Sequence, residues 1–471
     1  MLHGKSCNMP ETSPDSSESS FTVKSAVIGI LAATAGLMSG LDIGVISGAL
    51  DFVSREFHAS TMQQEWIVSG MMAGAAIGAI LAGWLARITG RKWSLVIAGI
   101  IFIFGSLGCA VSWSVMSMIV NRGLMGLAIG IAAFTSPLYL SEIASKETRG
   151  AMIATYQLMI TVGILVAFIS DTLFAYHAQW RWMFGVIVIP GVLFVIGVLF
   201  LPYSPRWLMM KGRKKEAHSV LEDLRPDSHD TAAEIRSIEA QLTSRKGGFS
   251  LLKSNSNFRR SVALGVLLQA MQQFAGINVI MYYAPKIFAL AGFVGESQMW
   301  CTAVVGFVNV LATLAAIGLV DRWGRKPILY CGFATMVFSL AGLSWLNITG
   351  METQTASIMC VFFVMIFISA HAMSAGPLMW VLCSEIQPMK GRDLGITIST
   401  LSNWISNMIV GLSFLSILNG LGGGCTFALM AGLNGLFLLL TWLYVPETND
   451  VSLEQIEKNL MMGKKLRNIG Q

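Results

Sequence analysis

Residues 82–92 read AGWLARITGRK, and residues 316–326 read AIGLVDRWGRK. Each stretch ends one apolar run, turns on a Gly-Arg-Lys step and opens the next apolar run. So short a connection between two helices needs Gly for its tight turn, and the Arg and Lys beside it anchor that turn on one side of a bilayer. Arg91 recurs at Arg325, an offset of 234 residues. Glu142, seven residues before Arg149, recurs at Glu385, seven before Arg392, an offset of 243. Pro202 recurs at the Pro446-Glu447-Thr448 step, an offset of 244. Three landmarks in one order at nearly one offset describe a chain built twice.

The surrounding composition sets the environment. Of 471 residues, 54% are hydrophobic and 12% charged, against about 25% charged in a soluble domain. The apolar residues come in runs of about 20, the length that crosses a bilayer. Spans are expected near 26–48, 65–86, 94–112, 116–140, 151–172, 182–201, 261–289, 299–320, 327–347, 357–384, 394–418 and 425–445. Twelve spans leave both termini on one side, and 28 of the 32 Lys and Arg fall there. The exceptions are Arg55 and Arg181 opposite, Lys286 near a span end and Arg122 within a span. That asymmetry makes both termini cytoplasmic, and it accounts for the net charge of +6 without a nucleic-acid partner.

The one long polar stretch, 202–260, divides the chain. Its KGRKKEAHSVLEDL and DTAAEIRSIEAQL segments have apolar residues at helical spacing, as expected of short amphipathic helices at the cytoplasmic face. The expected organisation is a disordered tail over 1–25, a six-helix bundle over 26–201, the linker over 202–260, a second bundle over 261–445 and a cytoplasmic tail over 446–471. Residues 1–20 lack the apolar core of a signal peptide. The seven cysteines include no CxxC pair and no Cys/His cluster, so no metal or cofactor is expected.

Several motifs together resemble the sugar porter family of the major facilitator superfamily, from about residue 25 to the C-terminus. They are GLDIGVISGAL at 40–50, SPLYLSEI at 136–143, SPRWL at 204–208, QQFAGIN at 272–278, GLVDRWGRKP at 318–327, GPLMWVLCSEIQP at 376–388 and VPET at 445–448. Within that family the stretches VIMYYAPKIF and GLVDRWGRKP lean towards the bacterial galactose–proton type, with the arabinose–proton type next. The resemblance implies an all-α membrane protein with twelve transmembrane helices in two pseudo-symmetric six-helix bundles. It also implies a working monomer in the bacterial inner membrane. Three positions depart from the family pattern. Arg87 stands where the first-half loop usually has Asp, Tyr203 replaces the acid of P-E-S-P-R, and Ile317 replaces a Gly.

A polar side chain inside a span is costly without partners, so each is a functional candidate. Gln269, Gln272, Gln273 and Asn278 fall within ten residues of the seventh span. On an unbroken helix Gln272 and Asn278 point about 240° apart, and they converge only if the helix unwinds near Gly276. Amides offer donors and acceptors in pairs that match adjacent sugar hydroxyls, and aromatic faces suit the C–H face of the ring. By resemblance the sugar-contacting positions are Gln157, Gln272, Gln273, Asn278, Asn309, Trp380 and Asn403, with Tyr282 and Trp404 as further aromatic surface. None is charged, which points to a neutral monosaccharide.

Two charges lie inside spans: Asp42 and Arg122. They fall on the positions where the family's proton symporters keep a titrating acid and its basic partner. Burial favours a neutral carboxyl and a nearby Arg favours an ionised one, so the pair can switch with conformation. Asp171, at the external end of its span, is expected at the interface. Arg91, Glu142, Arg149, Asp321, Arg325, Glu385 and Arg392 are expected as cytoplasmic latches that bridge when the protein faces outward. An enzyme is not expected, because His371, the intramembrane His, has no recognisable partner. A receptor is not expected either, because the tails are about 25 residues each and give no output region. The reading is a secondary sugar–proton symporter for galactose or glucose. A pentose symporter or a passive facilitator is the alternative.

Overall fold

A computed structural model describes residues 23–144, 149–225, 230–243, 248–350, 353–388, 391–449 and 451–470. Every regular element among them is helical. The first half comprises α1 (Val23–Glu56), α2 (Thr61–Ile88), α3 (Gly90–Ala110), α4 (Val115–Ile143), α5 (Arg149–Ala175), α6 (Trp180–Val186) and α7 (Val188–Leu199). Four short helices follow: α8 (Pro205–Met210), α9 (Lys214–Leu224), α10 (Thr231–Thr243) and α11 (Gly248–Ser254). The second half comprises α12 (Ser256–Phe274), α13 (Ile277–Tyr282), α14 (Ala284–Leu290), α15 (Glu296–Trp323), α16 (Arg325–Thr349), α17 (Gln354–Met373), α18 (Ala375–Glu385) and α19 (Arg392–Tyr444), followed by α20 (Leu453–Met461) and a short 3-10 turn at Leu466–Asn468.

Eleven helical stretches among the described residues are long and apolar enough to cross a membrane. The last of them, α19, has 53 residues and is interrupted at Gly422, φ 76° and ψ 165°. Its length would come to about 80 Å at 1.5 Å per residue, against a hydrocarbon core of about 30 Å. It therefore turns at Gly422 and crosses twice, which makes twelve crossings.

Small residues set how closely the helices approach. Gly36, Gly40, Gly44 and Gly48 recur every fourth residue of α1 and line one face. A Cβ on them would run into Tyr156, Ile160, Ala167 and Asp171 of α5 respectively. The α2–α4 seam is reciprocal: Gly74 and Gly78 meet the backbone of Gly123 and Leu127, while Gly126 and Gly130 meet Met71 and Ala75. Without a hydrophobic force between helices in lipid, such close backbone packing is what holds a bundle together. Across the halves, α2 packs on α19 and α5 on α15.

Two spans and the C-terminal segment carry detail beyond the sequence expectation. The seventh is three pieces, α12, α13 and α14, and the tenth breaks at Ser374, φ −127° and ψ −90°, between α17 and α18. The C-terminal segment is folded, because α20 buries Ile456 and Leu460. It is held there when Asn257 Nδ2 donates to the Met461 carbonyl at 2.9 Å and Arg260 Nη2 to that of Lys464 at 3.0 Å.

Candidate functional site

The seventh span supplies the first cluster because its helix stops. α12 ends at Phe274, and Gly276 takes φ 98° before α13 starts, a left-handed conformation that Gly adopts without steric cost. A break near Gly276 is what the convergence of Gln272 and Asn278 requires. Around it runs a chain of amides: Asn278 Nδ2 donates to Gln273 Oε1 at 2.7 Å, and Gln273 Nε2 to Gln272 Oε1 at 3.4 Å. Asn403 Nδ2 on α19 donates to Gln272 Oε1 at 2.8 Å and to Gln269 Oε1 at 2.7 Å. Gln272 Nε2 reaches the second break, donating to the carbonyls of Ala375 and Gly376 at 3.1 and 2.8 Å.

The remaining candidates lie on α5, α13, α15, α18 and α19. Asn309 is buried on α15, Tyr282 is fully buried at the end of α13, and Gln157 and Trp404 are half-buried on α5 and α19. No hydrogen bond among the described residues joins the side chains of Gln157 or Asn309 to the amide chain. Trp380 on α18 is 39% exposed between the buried Met379 and Leu382, so its indole is not packed away in the core. Gln269 is a fully buried amide that accepts from Asn403, and this ties two helices together.

The second cluster lies inside the first half. Asp42 of α1 and Arg122 of α4 are both 0% exposed and form an ion pair. Arg122 also donates through Nε to the Ile67 carbonyl at 3.1 Å and through Nη2 to that of Val68 at 3.5 Å, both on α2. Arg122 is therefore anchored to α2 independently of Asp42, whereas Asp42 Oδ2 has no hydrogen-bond partner. Asp171, expected at the interface, is 1% exposed and sits against Gly48. The close α1–α5 packing there buries it.

The cytoplasmic landmarks form two matching triads. In the first half, Arg91 Nη2 pairs with Glu142 Oε1 at 2.7 Å, and Ser204 Oγ donates to Glu142 Oε2 at 2.5 Å. In the second, Arg325 Nη2 pairs with Glu385 Oε1 at 3.4 Å, and Thr448 Oγ1 donates to Glu385 Oε2 at 2.6 Å. Each triad stays within its own half. Arg392 donates through Nε to the Gln387 carbonyl at 3.3 Å, while the side chains of Arg149 and Asp321 lie outside the described residues. The hydroxyls of Ser204 and Thr448 are absent from the sequence expectation, although their offset of 244 residues matches that of Pro202 and Pro446.

The Tyr203 departure has a physical counterpart. In the second half Glu447 accepts the backbone N–H groups of Arg325 at 3.0 Å and Lys326 at 2.9 Å, and so caps the start of α16. Burial pushes the Glu447 carboxyl up, but backbone N–H donors from Asn449, Lys326, Arg325 and Thr448 outweigh it and hold it below the usual carboxylate range. In the first half the matching position is Tyr203, which stacks on Trp207 at 5.5 Å and accepts from Trp93 Nε1 at 3.0 Å. The Trp207 ring lies against Gly90 at the start of α3. Aromatic cover replaces the acid.

Residues 28–460 match the family model described as sugar (and other) transporter. Over 441 residues the chain is 56% identical to the galactose–proton symporter of Escherichia coli, covering 93% of this chain and 95% of that one. It is 50% identical over 447 residues to the arabinose–proton symporter of the same organism, covering 94% and 95%. Among solved structures it is similar to the E. coli xylose transporter XylE in a partially occluded inward-open conformation, with TM-score 0.80, 27% identity and coverage of 91% and 99%. XylE bound to 6-bromo-6-deoxy-D-glucose matches with TM-score 0.78 at 27% identity, covering 94% and 98%.

Proposed function

The chain belongs to the sugar transporter family, and from that premise we propose that it imports a neutral hexose, galactose first, together with a proton. The observation that carries this reading is the uncharged amide chain Asn278–Gln273–Gln272–Asn403, strung across two helix breaks and accompanied by one buried acid–base pair. Broken helices at a bundle interface free backbone and side-chain groups for a substrate. Amides that hydrogen-bond one another in its absence can turn to adjacent hydroxyls in its presence. Trp380 and Tyr282 supply ring faces for the sugar's C–H surface.

The proton enters through Asp42. Arg stays charged, so Asp42 is the member of the pair that titrates. Protonation removes the charge that ties α1 to Arg122, while Arg122 keeps its bonds to the α2 carbonyls of Ile67 and Val68. α1 is thereby released from α4 and α2 and can move with α5, against which its glycine face packs. A charge change at one group then biases a two-state structure, and an inward proton gradient drives sugar accumulation.

Both termini are cytoplasmic in this reading, since the Lys and Arg concentrate on that side. The protein works as a monomer in the lipid bilayer of the bacterial inner membrane. Its two bundles, over 26–201 and 261–445, rock about the site, and Arg91, Glu142, Arg149, Asp321, Arg325, Glu385 and Arg392 serve as cytoplasmic latches. A pentose is the second choice of substrate, on the strength of the 50% identity to the arabinose–proton symporter. Proteoliposomes given an inward proton gradient should concentrate labelled galactose, and a protonophore should abolish the accumulation. Uptake that only equilibrates, gradient or not, would make the chain a facilitator.

A further inference from the structure

Among the described residues, five polar residue pairs join the two halves at the face that carries Asp51, Tyr176, Lys286 and Asn419. Lys286 at the start of α14 donates to Gln64 Oε1 of α2 at 2.5 Å and lies 3.5 Å from Asp51 Oδ1 of α1. Glu65 of α2 is 2% exposed, and both its oxygens are taken by one residue of α19: the Ser416 backbone N–H at 2.6 Å and the Ser416 hydroxyl at 2.9 Å. Asn419 Nδ2 donates to Thr61 Oγ1 at 3.3 Å, and Trp300 Nε1 to the Tyr176 hydroxyl at 3.0 Å. At the opposite face the Arg91–Glu142 and Arg325–Glu385 pairs each join groups of one half. The seam is polar and crosses between halves where α2 meets α19 and where α1 and α2 meet α14.

We infer that Glu65 and Lys286 are gating residues that latch the external face shut, holding α2 and α1 of the first half to α19 and α14 of the second. The inference rests on the proposed alternating transport and on its orientation, with this face outside. Glu65 makes the latch two-state rather than gradual. Its carboxylate is buried, so drawing α19 away removes both Ser416 donors and leaves a desolvated charge unless water enters at the same step. The seam therefore favours either full contact or full hydration. Lys286 and Asp51 sit at the rim, 22% and 30% exposed, where water can replace the pair. Opening begins there and ends at Glu65. Transport needs this latch to break once per cycle, so residues that strengthen or weaken it set the balance between the two facing states.

The test is a thiol placed beneath the latch. Ser69 of α2 is 0% exposed, and a Cβ on Gly411 of α19 would come within 2.6 Å of its hydroxyl, so closure shields it. Ser69→Cys is made in a chain whose Cys301, Cys331 and Cys425, the half-buried or exposed cysteines among the described residues, are serine. A membrane-impermeant maleimide is then applied to intact cells, with the same chain lacking Ser69→Cys as the baseline. Lys286→Ala and Glu65→Ala should each speed labelling by about fivefold or more through a population shift. The charge swap Asp51→Lys with Lys286→Asp should restore slow labelling. If Glu65→Ala does not reach the membrane, Glu65→Gln, which keeps one acceptor oxygen, carries the same expectation. Unchanged labelling in the single variants would overturn the latch. So would a swap that labels as fast as Lys286→Ala, since that would mean local loosening rather than a lost pair. Labelling needs neither sugar nor a proton gradient, so a parent chain that shows this pattern but fails to move galactose would contradict the transport reading and leave the latch standing.

Discussion

Gln272 on α12 donates its amide to the carbonyls of Ala375 and Gly376 at the start of α18, at 3.1 and 2.8 Å, so one broken helix is tied to the other. The same residue accepts from Asn403 and Gln273. It is the junction of the amide chain, and a ligand that recruits it rearranges contacts on three helices at once.

Gln272→Ala should therefore weaken galactose binding more than Gln273→Ala or Asn278→Ala does. Leaving a buried partner unsatisfied costs about 1–3 kcal/mol, or a loss of about five- to 150-fold in affinity. Titration calorimetry on purified variants measures it. Equal affinity in all three and the parent would remove the amide chain from the site.

The α1–α5 seam gives a packing prediction. At Gly44 an added Cβ overlaps Ala167, so Gly44→Leu should force the helices apart and cost at least about 1–3 kcal/mol. Gly435→Ala on α19 is the control, because a Cβ there meets nothing within 4 Å. Membrane yield and thermal melting in detergent should fall for Gly44→Leu and hold for Gly435→Ala.

How much of this was legible in the sequence depends on how local the signal is. Span length and Gly-Arg-Lys punctuation are carried by neighbours in the chain, so twelve crossings and the duplication could be read directly. The break at Gly276 followed from two amides that must converge. The Glu65–Ser416 and Lys286–Gln64 contacts could not be read, since their members are 351 and 222 residues apart. A Glu at the head of a span looks like any interfacial acid until α19 is placed against it. Asp171 was misplaced for a related reason. Its position at a span end suggests the interface, but the glycine face of α1 draws α5 close enough to bury it.

Glu447 supplies a pH dependence. Its carboxyl sits below the usual range when folded, so the stability it contributes is fully present above the unfolded carboxylate value, about 4.3 for Glu, and is lost as pH falls through the lower folded value. The parent's melting temperature should drop as pH is lowered through that window. Glu447→Gln should melt lower at neutral pH and show a shallower acid decline. Parallel curves for the two proteins would show that capping α16 does not depend on the Glu447 charge.

The central claim is that the Asp42–Arg122 pair couples proton to sugar, and the most direct measurement is transport by Asp42→Asn in proteoliposomes. The substitution keeps the side chain's size and removes the titrating group. Arg122 remains held by the Ile67 and Val68 carbonyls at 3.1 and 3.5 Å, so it is not left without partners. Counterflow of labelled galactose and uptake under an imposed proton gradient are read from the same preparation. The account predicts that counterflow persists while accumulation against a sugar gradient disappears, along with the alkalinisation of the external medium on sugar addition. Asp42→Asn that still concentrates galactose and still draws protons in with it would contradict the account.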